Sequence, residues 1–393
     1  MGGVGKWKDK VAVRLASCHS GVMTKDKDFE IFLATVPGME SVLCAEVRLK
    51  GFKQPAAVPG GVVIRGGWPE VWRANLWVRG TSRVLARIAS FPVVHLSQLD
   101  KRACKVPWQT ILRPDVAFRV EATCAGSRVY HAGAAAERIA KAITQTLGAT
   151  QADDAPVVIK ARIEQNICTI SVDTSGDLLH RRGYKQAVNR APLRETMAAL
   201  FLRQCGYNGQ EPVLDPMCGS GTFVIEAAEI AARLNPGRAR HFAFELLATF
   251  DPQAWQIMRD VKSQRTPDVR FYGSDRDAGA IAMSNANAER AGVQDYVAFQ
   301  QATVSEFRPP QGPAGLVIAN PPYGTRIGDK QSLAPLYRAL GQTLLTHFSG
   351  WRVGIVTTES KLAHATGLPF LPPQAPVPHG GLRVSLYQTA PLP

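Results

Sequence analysis

Cysteine is scarce in this sequence, and the few cysteines are scattered along it. Seven occur among 393 residues, and no two of them are spaced as Cys-x-x-Cys. Zinc knuckles and thiol redox motifs use that spacing, and a disulfide framework requires an even, dense set of cysteines. The pattern predicts reduced thiols in a cytoplasmic protein that has no disulfide framework and no metal site.

Long hydrophobic runs are also missing, although hydrophobic residues make up 45% of the chain. No apolar stretch approaches the roughly 20 residues that cross a bilayer. Near the N-terminus, the run VAVRLAS is too short for a signal peptide and is interrupted by Arg14. The sequence therefore predicts a protein without a membrane segment, and it shows no evident feature for an obligate protein partner.

Acidic residues are few relative to basic ones, and the deficit lies in one half of the chain. The whole chain has 46 basic and 32 acidic residues, which gives a formal net charge of +14. Residues 1–190 carry 28 basic and 16 acidic side chains, whereas residues 191–393 carry 18 and 16. A basic N-terminal half is typical of a protein that binds a polyanion such as nucleic acid. General solubility is the alternative explanation, but it does not account for the asymmetry.

The N-terminal half divides into four segments by its patterning. Residues 1–27 form a leader without sustained periodicity, and translation starting at Met23 is one hypothesis for it. Residues 28–95 and 96–175 each mix strand-like runs with helical periodicity, so both predict small α+β units. Residues 176–195 form a basic linker.

The C-terminal half has a different pattern. Residues 196–393 alternate strands with helices and carry an aromatic-rich insertion over residues 235–267. Such alternation predicts a doubly wound α/β sheet, in which ligands bind at the carboxyl ends of the strands. The three motifs that suggest chemistry all lie at predicted strand ends.

The first motif is a glycine turn in the segment VLDPMCGSGTF, residues 213–223. Gly219 and Gly221 allow the backbone to approach a ligand closely, because a Cβ atom would otherwise occupy that space. Free amides at the start of the following helix bind polar groups. The turn lacks the third glycine of the dinucleotide fingerprint, and by itself it is equally typical of a plain strand-to-helix connection.

The second motif is FYGSDRD, residues 271–277. Asp275 ends the next predicted strand, and an acid in this place accepts both hydroxyls of a ribose in nucleotide-binding α/β folds. Alone it would be interpreted as a surface carboxylate, but together with the glycine turn it indicates an adenosyl-type site. Asp277 is predicted to cap the following helix.

The third motif, ANPPYG, is the most specific. Two consecutive prolines, Pro321 and Pro322, fix the backbone after a buried strand and orient the Asn320 amide. Its oxygen can accept a hydrogen bond from an aromatic amine, and Tyr323 supplies a ring on which an extruded base can stack. An exocyclic amine is a poor nucleophile, because its lone pair is delocalised, so orienting acceptors favour its reactive form. A Pro-Pro turn without function is the alternative.

Together these segments resemble a known family. DPMCGSGT, GSDRD and ANPPYGTRIGD, in this order, are similar to class I methyltransferases that act on exocyclic amines. The connector HRRGYKQAVNRAPLRE and the segments FAFE and FDPQAW narrow the resemblance to THUMP-domain RNA guanine-N2 methyltransferases, typified by the bacterial large-subunit ribosomal RNA enzymes. FLATVPGMESVLCAEV resembles the N-terminal ferredoxin-like segment of this family, and FRVEATCAGSRVYHAGAAAERIAKAI resembles its THUMP module.

The resemblance implies a fold, a cofactor and a set of site residues. The fold is α/β: a Rossmann-like class I methyltransferase domain over residues 196–393, preceded by α+β ferredoxin-like (28–95) and THUMP (96–175) modules. S-adenosylmethionine (SAM) is the implied cofactor. The implied cofactor-binding residues are Asp215, Met217, Cys218, Gly219, Ser220, Gly221, Thr222, Asp275, Arg276, Thr303 and Asn320, and the implied catalytic residues are Asn320, Pro321, Pro322 and Tyr323.

For two sets of residues, one in the cofactor site and one in the basic linker, the sequence leaves an alternative role open. Thr303 stands where many relatives have an acid that binds the adenine amine, so a hydroxyl or another residue takes that contact here. Arg181, Arg182 and Lys185 in the basic linker are predicted to hold RNA phosphates, and a solvated linker is the alternative.

The sequence therefore predicts SAM-dependent methyl transfer to the 2-amino group of a guanine in structured RNA, with 23S ribosomal RNA as the expected substrate. Transfer RNA is an alternative substrate. DNA adenine and protein glutamine methyltransferases share the Asn-Pro-Pro-Tyr segment and form a second alternative. A non-catalytic RNA-binding assembly factor is the third, although the intact turn, Asp275 and Asn320 argue against it.

Overall fold

The computed structural model describes residues 28–186, 193–261, 263–323 and 330–393, without the side chains of residues 330–332. The predicted leader, part of the basic linker and the end of the ANPPYGTRIGD segment lie outside these ranges. The described residues form two compact units. The first contains residues 28–35, 43–179 and 240–261, and the second contains residues 36–42, 180–186, 193–239, 263–323 and 330–393.

A single seven-stranded sheet organises the first unit. Its strands are β1 (Phe29–Ala34), β2 (Ala56–Val58), β3 (Gly61–Gly66), β4 (Arg83–Pro92), β5 (Phe118–Ala125), β6 (Val157–Glu164) and β7 (Ile167–Asp173), in the order β2-β3-β1-β4-β7-β6-β5. β4 pairs with β7 in antiparallel register from Leu85 opposite Asp173 to Pro92 opposite Ile167. The two small α+β modules that the sequence predicts therefore share one hydrogen-bonded sheet.

The second unit contains the doubly wound sheet that the alternating pattern predicts. Its strands are β8 (Val213–Asp215), β9 (Phe271–Asp275), β10 (Val297–Gln301), β11 (Leu316–Ala319), β12 (Arg352–Thr357), β13 (Val377–His379) and β14 (Leu382–Gln388), in the order β10-β9-β8-β11-β12-β14-β13. β8 to β12 run parallel, and the β13–β14 hairpin joins antiparallel. The chain moves outward from β8 to β10 and returns to β11 on the other side of β8, so the strand order reverses at β8. Ligand crevices form at such reversals.

Helices cover the two sheets. They are α1 (Glu40–Leu49), α2 (Trp68–Trp77), α3 (Leu96–Ala103), α4 (Ala132–Leu147), α5 (Glu195–Gln204), α6 (Thr222–Ala231), α7 (Pro252–Asp260), α8 (Ala278–Ala291), α9 (Lys330–His347) and α10 (Ser360–Ala365). None of the helices in the described ranges is both long enough and apolar enough to span a bilayer. The mixed α/β class with a Rossmann-like C-terminal sheet is confirmed.

The aromatic insertion differs from its predicted assignment. The sequence places residues 235–267 within the C-terminal domain, but residues 240–261 belong to the first unit. Phe244 stacks on Trp72 of α2 at a centroid distance of 6.1 Å and meets Trp255 edge-on at 5.0 Å. Its backbone N–H donates to the Thr174 carbonyl oxygen at 3.1 Å. The insertion packs in the first unit because its aromatic side chains contact an apolar surface of α2.

Candidate active site

Asp215, the last residue of β8, carries the first functional side chain. The residue is buried, and its carboxylate Oδ1 accepts a hydrogen bond from the Met217 N–H at 3.0 Å. Burial, with a smaller contribution from the negative charge of Asp275, raises the pKa of this carboxyl group to about 8, although the hydrogen bond from the Met217 N–H opposes the rise. The Asp215 carboxyl group is therefore mostly protonated near neutral pH.

The glycine turn that follows has the conformation that its sequence requires. Gly219 and Gly221 adopt φ values of +55° and +80°, in the left-handed region that side chains disfavour. A Cβ atom on Gly219 would meet no described atom within 4 Å, so the turn borders open space there. Helix α6 begins at Thr222, directly after Gly221, and the N–H groups of a first helical turn have no acceptor within the helix.

Helix α8 holds the turn from outside, through residues that the sequence does not single out. The Ser284 hydroxyl donates to the Gly219 carbonyl oxygen at 2.9 Å, and Asn287 Nδ2 donates to the Ser220 carbonyl oxygen at 3.1 Å. Both side chains are fully buried and are separated by one helical turn. Buried polar residues on one face of a helix are the only signal that could have identified them, because their partners are distant in sequence.

Asp275 ends β9 and faces the same turn. Its Oδ2 accepts from the Gly219 N–H at 3.0 Å, and its Oδ1 accepts from the Asp277 N–H at 3.0 Å. These bonds orient the carboxylate, and each oxygen retains a second acceptor position that can take a ribose hydroxyl. Asp277 caps α8 by accepting from the Gly279 N–H at 2.8 Å, so its predicted capping role is confirmed.

Asn320 follows β11 immediately. Its Oδ1 is buried and has no hydrogen-bond partner among the residues that the structure describes. Leaving a buried acceptor unpaired costs about 1–3 kcal/mol, so this oxygen points to a donor supplied by a ligand. The Tyr337 hydroxyl lies 3.3 Å from the Pro322 carbonyl oxygen and fixes the backbone of the motif. Tyr337, on α9, is a further residue that the sequence does not single out.

The sheet brings these side chains together. β9 and β11 flank β8 and run parallel to it, so Asp215, Asp275 and Asn320 all lie at one edge. Neighbouring strands are roughly 4.8 Å apart, so the ends of β9 and β11 are separated by about 10 Å. One elongated ligand along this edge can therefore contact all three side chains.

The remaining predicted cofactor residues have less specific surroundings. Met217 is half-buried against the core and Arg276 is exposed, and Tyr323, which is predicted to be catalytic, is half-buried. Burial raises the pKa of the Cys218 thiol well above its usual range, so the thiol remains protonated. Thr303 donates from its backbone N–H and its hydroxyl to the Glu306 carboxylate, at 2.9 and 2.8 Å. An acid therefore does lie beyond β10, three residues after the position that the sequence analysis considered.

The linker residues differ from their predicted surroundings. Arg181 is exposed, but the Arg182 side chain is 2% exposed and lies 3.5 Å from the Glu226 carboxylate. The Lys185 side chain is 8% exposed and donates to Thr222 at the start of α6. The prediction that Arg182 and Lys185 hold RNA phosphates is therefore corrected, because both cations are buried against α6 and engaged there.

Family models match almost the whole described chain. Residues 30–85 match the RlmL ferredoxin-like domain, residues 94–173 match the THUMP domain, and residues 182–369 match the RMKL-like methyltransferase domain. The three matches occur in the order that the resemblance implies.

The chain is similar in sequence and in fold to known proteins. The chain is 30% identical over 369 residues to "Putative RNA methyltransferase slr0064" of Synechocystis sp., covering 91% of this chain and 96% of that protein. It is 33% identical over 352 residues to "Ribosomal RNA large subunit methyltransferase K/L" of Psychromonas ingrahamii, covering 86% of this chain but only 47% of that protein. Among solved structures, SMU.472 complexed with SAH superimposes with a TM-score of 0.83 at 26% identity, covering 94% of this chain and 99% of that one.

Proposed function

Because the chain belongs to the THUMP-containing, RMKL-like family of class I RNA methyltransferases, we propose that it methylates the 2-amino group of a guanine in 23S ribosomal RNA. The observation that carries this proposal is the buried Asn320 Oδ1 at the strand end beside the glycine turn, which has no hydrogen-bond partner within the described ranges. The ribosomal substrate is supported by the name of one relative, of which this chain spans about half the length.

The residues present fit SAM, the methyl donor of this family. The space beside Gly219, which a side chain would enter, accommodates the methionine part near Asp215. Asp275 has two oriented acceptors for the ribose hydroxyls. Glu306, beside Thr303, offers an acceptor for the adenine amine. When bound, SAM would supply an electrophilic methyl group, and its transfer to the guanine nitrogen would break the carbon–sulfur bond, leave SAH and release one proton of the amine to solvent.

The chain itself supplies orientation rather than a covalent intermediate. Asn320 Oδ1 accepts a hydrogen bond from the amine and draws its lone pair out of conjugation with the ring. Tyr337 holds the Pro322 carbonyl oxygen and so keeps the motif in place. Tyr323 stacks on the base after its extrusion from the RNA. Positioning a weak nucleophile in line with the methyl group is the main source of rate acceleration.

RNA recognition is assigned to the first unit. Most of the excess positive charge lies in the N-terminal half, and residues 94–173 match the THUMP RNA-binding domain. A folded RNA binds such a surface by shape and phosphate contacts, which position the substrate without reading much sequence. A ribosomal RNA substrate would place the reaction in the cytoplasm.

Labelled methyl transfer to several substrates tests the proposal. The purified protein is incubated with labelled SAM and, side by side, with 23S ribosomal RNA and transfer RNA from cells lacking the protein, with DNA, and with release-factor protein. We expect label in the ribosomal RNA, recovered as N2-methylguanosine. The proposed substrate would be wrong if label were recovered only in transfer RNA, in DNA as methyladenine, or in protein as methylglutamine. The labelled molecule would then identify the substrate.

Calorimetry separates the enzyme from a non-catalytic assembly factor. The family assignment predicts that the protein binds SAM without RNA, because the turn and Asp275 lie within one unit. An Asn320→Ala protein tested in parallel should bind SAM and label RNA about a hundredfold more slowly than the wild type, or slower still. A wild-type protein that binds RNA but not SAM would favour the assembly factor.

A further inference from the structure

Alternate residues of the segment that precedes the methyltransferase sheet are buried within the second unit. Arg182 and Tyr184 are buried residues, and most of the Lys185 side chain is removed from solvent. Burying a lysine is costly unless its ammonium group is paired, so the partners of Lys185 indicate what it does.

The Lys185 ammonium group is fully engaged. Its Nζ donates to the Thr222 hydroxyl at 2.8 Å and to the Leu193 carbonyl oxygen at 3.0 Å, and it lies 3.8 Å from the Glu195 carboxylate. Three acceptors therefore face the three N–H groups of the ammonium. One of them, Thr222, is the first residue of α6 and follows Gly221 directly.

A second connection reaches the same turn from the opposite side. The Tyr184 carbonyl oxygen accepts from Arg290 Nε at 2.7 Å, and the same guanidinium donates to Asn287 Oδ1 at 2.5 Å. Asn287 Nδ2 in turn donates to the Ser220 carbonyl oxygen at 3.1 Å. Two consecutive residues, Tyr184 and Lys185, thus connect to both halves of the turn from Gly219 to Thr222.

We propose that Lys185 is a positioning residue for the cofactor, which holds the turn through Thr222 while Asn287 holds it through Ser220. The inference rests on the proposed placement of SAM at this turn. It assigns Lys185 to cofactor binding and removes it from RNA binding. The two roles differ in which affinity they change, because a residue that acts on the turn alters cofactor binding in the absence of RNA.

The test compares the affinities of Lys185→Met for S-adenosylhomocysteine (SAH) and for RNA. Methionine keeps the length of the side chain and removes its charge and donors. We expect the Kd for SAH, measured by calorimetry without RNA, to rise at least tenfold, with the Kd for RNA unchanged within about twofold. Lys141→Met, at an exposed position of α4 in the first unit, is the matched control and should leave the Kd for SAH unchanged.

A double-mutant cycle shows whether Lys185 acts through Thr222. Thr222→Val keeps the shape of the side chain and removes the acceptor. If Lys185 acts on the turn through this hydroxyl, Lys185→Met should weaken SAH binding much less in the Thr222→Val background than in the wild type. A merely structural lysine would instead lower the melting temperature and leave the Kd of the folded protein unchanged.

Asn287→Asp provides the second variant, in case Lys185→Met does not fold. It keeps the acceptor for Arg290 but replaces the donor to Ser220 by an oxygen, so SAH affinity should fall. An unchanged SAH affinity in a folded Lys185→Met protein, or in Asn287→Asp where the lysine variant fails to fold, overturns the inference. If the substitution Lys185→Met raised only the Kd for RNA, the result would support the original prediction that Lys185 contacts RNA phosphates. The SAH measurements do not depend on which RNA or guanine is methylated, because they are made without RNA. If the wild-type protein failed to bind SAH, both this inference and the proposed function would be wrong.

Discussion

The Asp215 carboxyl group shows how burial at the end of a strand prepares a site for a cation. Its pKa of about 8 means that the neutral acid predominates at neutral pH, although an aspartate exposed to water would be ionised. The energetic cost of the buried charge falls when an ammonium group lies beside it. We therefore expect the group to lose its proton when the amino group of the methionine moiety binds.

This coupling predicts a pH dependence of cofactor affinity. The raised pKa means that more of the carboxyl group is neutral as pH falls below 8, so SAH binding should weaken as pH falls. As the pH rises from about 6 to about 7.5, we expect the Kd for SAH to decrease by up to roughly tenfold per pH unit, because binding releases one proton. Calorimetry across this range checks the slope. Asp215→Asn should remove it, and an equal slope in that variant would exclude Asp215 as the titrating group.

Asn320→Ala tests the base-orienting contact. The substitution should leave SAH affinity nearly unchanged and reduce turnover by about a hundredfold or more, which is the scale of losing one oriented polar contact in a transition state. Single-turnover methylation of RNA measures the rate. Asn208→Ala, at an exposed position of the same unit, should retain full activity. Near-normal turnover in Asn320→Ala would contradict the proposed role.

At the level of residues, the sequence predicts the side chains that touch ligand better than those that support them. Asp275 and Asn320 could be identified because each follows a hydrophobic strand within a recognisable motif. Ser284, Asn287 and Tyr337 could not, because their roles depend on partners brought near by the fold. Lys185 was assigned to RNA because its charge is visible in the sequence and its burial is not.

The strand β9 has a constraint that the glycine motif does not reveal. A Cβ atom on Gly273 would lie 2.5 and 2.6 Å from ring atoms of Phe299 on the neighbouring strand β10. Real Cβ atoms do not approach that closely, so the ring or the strand would have to move. Gly273 therefore allows the Phe299 ring to lie over β9 beside the cofactor turn.

Gly273→Ala should accordingly destabilise the second unit by about 1–3 kcal/mol, the usual cost of overpacking. Denaturant unfolding measures the change. Phe299→Leu combined with Gly273→Ala should recover part of the loss, because the smaller side chain leaves room for the methyl group. A Gly273→Ala protein as stable as the wild type would show that the ring moves aside without cost.

Among the elements, length and periodicity decide what could be predicted. Helix α4, Ala132–Leu147, has clear helical spacing of its apolar residues, so its range can be predicted from the sequence. No comparable periodicity marks helices α3, α7 and α10 or strands β2 and β13. They have three to nine residues, and tertiary packing rather than a local pattern stabilises such short elements. The Asp251 cap and Pro252 at the start of α7 were the available signal.

At the scale of the molecule, the sequence predicts the N-terminal α+β modules and the C-terminal α/β sheet. It does not predict which strands join the modules or where the insertion packs. Alternating strands and helices imply the second sheet, whereas pairing of β4 with β7 joins the two N-terminal modules into one sheet. Local patterning carries no information about such pairing, because the strands are about 80 residues apart. The return of residues 240–261 to the first unit was hidden for the same reason.

This chain course predicts that Phe244 stabilises the first unit, although it lies between two strands of the second. The Phe244 ring is fully buried against Trp72 and Trp255, so Phe244→Ala should destabilise by about 3–5 kcal/mol. Hydrogen exchange should become faster in α2 and remain slow in α6. Phe348→Ala is the matched control, because Phe348 is equally buried but stacks on Phe307 at 5.5 Å within the second unit, and it should give the opposite pattern. If hydrogen exchange became faster only in α6 after Phe244→Ala, the result would show that the insertion stabilises the second unit, as its position in the sequence suggests.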